Sequence, residues 1–88
     1  MKEKKKVLSL SVDEFKLLLN IIGSEEIRRL GVNMTERKLI LGHDDFLWLL
    51  KRMTDERQRK IDTGGNWNQE AVFIMRLIGA KEKRVKER

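Results

Sequence analysis

The chain has 88 residues, a formal net charge of +6 and neither cysteine nor proline, so one domain is expected, burying about 60% of its unfolded surface without a disulfide framework or a thiolate metal site. Apolar residues at 40% against charged residues at 39% are too many for a disordered chain and too finely interrupted for a membrane span. The basic start lacks the apolar core of a signal peptide, so the expected location is cytoplasmic, with no membrane partner.

Lys6-Val-Leu-Ser-Leu-Ser11 alternates through Leu8 and Leu10 with the period of a short strand that buries one face. Ser11-Val-Asp-Glu14 has capping-box spacing. Val12, Phe15, Leu18, Leu19 and Ile22 then recur at helical spacing up to Gly23, a left-handed stop. Ser24 caps a second, short helix through Leu30, with Glu25 and Glu26 at its positive end and Arg28 and Arg29 at its negative end. Gly31 ends it, and residues 33–35 read as a loop.

Arg37-Lys-Leu-Ile-Leu-Gly42 is either a short buried strand or the start of a helix. An internal echo supports the strand: residues 6–15 align with 37–46 at an offset of 31, which also matches Leu18, Leu19 and Ile22 to Leu49, Leu50 and Met53. Both units read as apolar strand, acidic cap, Phe-led helix. From Asp44 to Ile61 the pattern is helical, apolar all round at first and polar all round later. Thr63-Gly-Gly-Asn66 is a flexible turn, and Asn66 or Asn68 caps a last helix through Ile78. Beyond it, Glu82–Lys86 and Lys83–Glu87 pairs predict a fraying helical tail. The expected fold class is α+β, mostly helical, ordered β-α-α-β-α-α with a small two-stranded ribbon; the alternative is an all-α helix-turn-helix.

Charge is distributed unevenly along this chain. Residues 1–6 and 80–88 carry +3 each, and 11 basic and 11 acidic residues balance between Val7 and Gly79. The expected organisation is therefore a basic N-terminal arm (1–6), one globular domain (7–79) and a basic C-terminal tail (80–88).

Catalysis has little to work with. His43 is the single histidine, there is no cysteine or tyrosine, and Ser9, Ser11 and Ser24 already serve a strand or a cap. His43 beside Asp44 and Asp45 lacks the ligand spacing of a metal site. From Asp62 onward, oxygen-bearing residues follow a calcium-loop register. Gly64, Trp67 and Phe73, however, stand where that loop needs a ligand, a glycine and a glutamate. No enzymatic activity, metal or cofactor is expected.

Ser24-Glu-Glu-Ile-Arg-Arg-Leu-Gly-Val-Asn33 resembles the first helix and turn of a helix-turn-helix. The resemblance implies a recognition helix over Thr35 to Leu41 that offers Asn33, Thr35, Arg37 and Lys38 to DNA. Independently, basic ends displace counterions from phosphates without reading sequence. The expected nucleic-acid-binding set is Lys4, Lys5, Lys6, Arg28, Arg29, Arg37, Lys38, Lys81, Lys83, Arg84 and Lys86. No aromatic residue lies in either end, which favours duplex backbone over base stacking.

Three helical segments carry more apolar surface than one stripe buries, which predicts a homodimer with Phe46, Trp48, Trp67 and Phe73 at the protein interface. The expected function is a small non-enzymatic regulator that binds nucleic acid weakly or non-specifically, with nucleic acid and a second copy as its expected partners. The alternative is a protein-binding adaptor or inhibitor, of the kind phages and mobile elements carry, acting through exposed apolar helix surface.

Overall fold

The computed structural model describes residues 4–30, 32 and 35–84, with Lys83 and Arg84 described by backbone alone. The elements are β1 (Lys4–Ser9), α1 (Val12–Arg29), β2 (Lys38–Leu41), α2 (His43–Asp62), α3 (Asn68–Gly79) and β3 (Lys81–Arg84). The described chain is mostly helical, broadly α+β, with one antiparallel sheet in the order β2-β1-β3.

The Lys38–Leu41 segment pairs with β1 as a strand, through Leu41 opposite Lys6 and Leu39 opposite Leu8. Leu39 and Leu41 are 0% and 1% exposed while Lys38 and Ile40 are half-buried. Each fully buried leucine stabilises the fold by about 1.5–3 kcal/mol, a gain this segment obtains only at a period of two. The recognition helix of the helix-turn-helix alternative is therefore ruled out.

A third strand replaces the expected two-stranded ribbon. Lys81–Arg84 pairs antiparallel with Lys4–Val7, so these basic residues at both ends belong to the sheet; the tail helix expected through the Glu82–Lys86 and Lys83–Glu87 pairs is strand over residues 82–84, and its remainder lies outside the described residues. The gain is hydrogen bonding: β3 supplies partners to an edge of β1 that would otherwise stand unpaired. Lys6 helps to hold the corner, its Nζ donating to the carbonyls of Ile78 (3.1 Å) and Ala80 (3.2 Å).

The capping box forms as expected: Ser11 Oγ accepts the Glu14 N–H, and Glu14 Oε1 accepts the Ser11 N–H. Gly23, at φ 84° and ψ 165°, breaks α1 into two limbs. Trp67 is the N-cap residue of α3, and the Asn66 side chain accepts the Asn68 N–H at 3.0 Å.

The internal echo is visible in three dimensions. Leu8 and Leu39, Leu10 and Leu41, and Leu18 and Leu49 are each buried as a pair, while Phe15 and Phe46 both pack against the core at half burial. Ser11 and Gly42, one echo apart, are N-cap residues of nearly identical backbone geometry. Two strand–helix units thus share one core, with Met53, Phe73, Ile74 and Leu77 closing it from α2 and α3.

Candidate nucleic-acid interface

Side chains of a strand alternate between faces, so the register assigns every sheet residue to one side. Leu8, Leu39 and Leu41 face the helices and are buried. The opposite side carries Lys5, Val7 and Ser9 of β1, Lys38 and Ile40 of β2, and Lys81 of β3, with Lys83 at the register position opposite Lys5. Every ionisable residue in this set is lysine. The acid of β3, Glu82, is paired in register with Lys6 on the helix-packed side.

Val7 and Ile40 are cross-strand partners at the middle of the outer face. They are half-buried, as are Lys5 and Lys38, whereas Ser9 and Lys81 are exposed. From strand spacing and rise, the Lys38 and Lys81 backbones lie about 12 Å apart and those of Lys38 and Lys5 about 14 Å. An open depression of about 460 Å³ adjoins Lys5 and Ile40 and is also lined by Arg29, His43, Asp44 and Asp45.

The other expected contacts divide by environment. Lys4 is exposed at the far end of β1. Lys6 is engaged with the α3 carbonyls and lies over the Phe46 ring, 4.8 Å from its centroid. Arg28 is exposed. Arg29 bonds Glu26 at 2.6 Å, reaches Asp45 at 3.5 Å and lies over Trp48, 4.8 Å from the ring centroid. The Glu26 hydrogen bond holds its guanidinium proton more tightly than usual. Arg37 adopts φ 53°, and its Nε and carbonyl both bond the backbone of Leu10; it is a structural turn residue. Asn33 and Lys86 lie outside the described residues.

The four aromatic residues expected at a protein interface differ in environment. Phe73 is fully buried, a core residue unavailable to a partner, and Phe46 and Trp48 pack partly into the same core. Trp67 is 41% exposed. The more open apolar residues are Val72, Met75 and Ile78 of α3, with Met75 at 72% exposure. Their signal in the sequence is the i, i+3, i+6 spacing beside buried Phe73 and Leu77, which attention to aromatic residues passes over. Arg76, on the same helix, is held by the Glu14 carboxylate and by the Ser9 carbonyl at 3.0 Å.

Among the described residues no cluster of three or more potential metal ligands occurs, and no helix is long and apolar enough to cross a membrane. Comparison with protein families, curated proteins and solved structures gives no match to this chain.

Proposed function

We propose that this protein is a non-enzymatic nucleic-acid-binding regulator that engages the phosphate backbone with the outer face of its sheet. The observation that carries the reading is the sorting of charge: on the outer face all ionisable positions are lysine, and the neighbouring glutamate of β3 is in register on the other side. Lysines whose backbones are fixed in a sheet displace condensed counterions while losing less backbone conformational entropy than mobile arms.

Fluorescence anisotropy with a labelled duplex at low salt tests this. Binding is expected, and the double charge reversal Lys38→Glu/Lys81→Glu is expected to abolish it while circular dichroism stays unchanged. Unaltered affinity in that variant would overturn the reading.

A second reading, association with another protein surface, draws on the exposed Val72, Met75 and Ile78 of α3. A second copy of the chain is the simplest such partner.

A further inference from the structure

The outer face also has a shape. β2 pairs with residues 6–9 of β1 and β3 with residues 4–7, so only Lys6 and Val7 have neighbours on both sides. Along the rest of its length the sheet is two strands wide. A two-stranded ribbon fits the major groove of B-form DNA, about 12 Å across; the β1–β2 ribbon that carries Val7 and Ile40 is that element, with Lys81 of β3 on its flank, and the Lys38-to-Lys81 and Lys38-to-Lys5 spacings of about 12–14 Å match the groove width. The equivalent groove of an RNA duplex is too deep and narrow to admit it.

What lies between the lysines decides what can be read there. Among the described strand residues of the face there is no arginine, asparagine or glutamine for bidentate base contacts and no aromatic ring for stacking; Arg29 and Arg76 at its rim are held by Glu26 and Glu14, and its centre is the aliphatic pair Val7 and Ile40. The base-edge feature an aliphatic side chain recognises in the major groove is the thymine C5-methyl group.

Resting on the nucleic-acid reading above, we infer that the sheet enters the major groove of duplex DNA. Lys38 on one side and Lys5 and Lys81 on the other contact phosphates, and Val7 and Ile40 pack against thymine methyls. The protein thereby prefers A·T-rich duplex DNA over RNA and over single strands.

The test is a competition series read by anisotropy: an A·T-rich duplex of about two helical turns, the same duplex with uracil in place of thymine, its single strand, and the RNA duplex of the same sequence. Removal of the methyls is expected to weaken binding about fourfold for each one buried. In a Val7→Thr/Ile40→Thr protein, which keeps β-branched residues in both strands, the difference between thymine and uracil duplexes should disappear. Equal affinity of the unaltered protein for thymine and uracil duplexes, or tighter binding of RNA or single strands, overturns the groove assignment and leaves the lysine reading standing. Failure to bind any of the four at low salt overturns the lysine reading itself.

Discussion

Glu70 is a fully buried charged residue in the first turn of α3, and both its carboxylate oxygens accept from Lys60 Nζ, at 3.0 and 2.8 Å. The partners are unequally placed: the Lys60 side chain keeps 29% of its exposure and Glu70 keeps none. Removing the lysine strands a carboxylate in the interior, whereas removing the glutamate releases a cation toward water. Lys60→Ala is therefore expected to lower stability by about 3 kcal/mol and Glu70→Gln by clearly less, as read from urea midpoints. Glu14 sets a pH dependence. Burial pushes its carboxyl upward, but the Ser11 backbone N–H and the Arg76 guanidinium outweigh that, and the net displacement is below 4.5. A depressed carboxyl stabilises the fold above its unfolded value and loses that contribution as pH falls through its folded value. Stability should thus decline as pH drops below 4.5, and Glu14→Gln should flatten that decline in pH-resolved thermal melts. Neither the Lys60–Glu70 pair nor the Glu14–Arg76 pair is legible in the sequence, because each joins helices whose mutual placement is set by core packing.

Among elements, α1 and β3 show the two limits of sequence reading. The break at Gly23 is legible because φ 84° with ψ 165° is a conformation essentially reserved for glycine. A Cβ there would meet nothing within 4 Å, so Gly23→Ala should cost about 1–3 kcal/mol through backbone strain alone, measurable by chemical denaturation. Gly42 is the contrasting case. It caps α2 without a side-chain bond, at φ −68°, with open space around its Cα. Gly42→Ser should supply the missing acceptor and raise stability by a few tenths of a kcal/mol. β3 was illegible because Lys81 to Arg84 carries no apolar residue: its conformation comes from hydrogen bonding to β1 rather than from burial of its own side chains. β2 was legible as one of two options, and the echo with β1 favoured the correct one because both units bury the same positions.

At the scale of the whole molecule, the described basic residues of the two ends, within Lys4–Lys6 and Lys81–Arg84, meet in one sheet. The three lysines Lys5, Lys38 and Lys81 on one face imply a salt dependence of about −2.7 in log affinity against log salt, a loss of about fortyfold between 50 and 200 mM. Neutralising Lys38 with glutamine should reduce that slope by about 1. Association of copies is separable from this: a sedimentation series is expected to show concentration-dependent self-association that Met75→Glu removes and Ile61→Glu, at another exposed apolar position, leaves intact. The candidate site is partly legible: the charge of the ends singles out Lys5 and Lys81, and the helix-turn-helix resemblance singles out Lys38. What the sequence withholds is their common face, which depends on a register that pairs Val7 near one end of the chain with Lys81 near the other.

That register makes the last strand a reporter. β3 is short and polar, and it is tied to β1 across a long closed loop, so its undocking is the lowest-cost local opening expected of the sheet. A ligand that spans Lys38 and Lys81 finds both only while β3 is docked, so by linkage its binding must suppress that opening. Slowed amide hydrogen exchange across residues 81–84 on addition of DNA would therefore register occupancy of the face from the backbone itself.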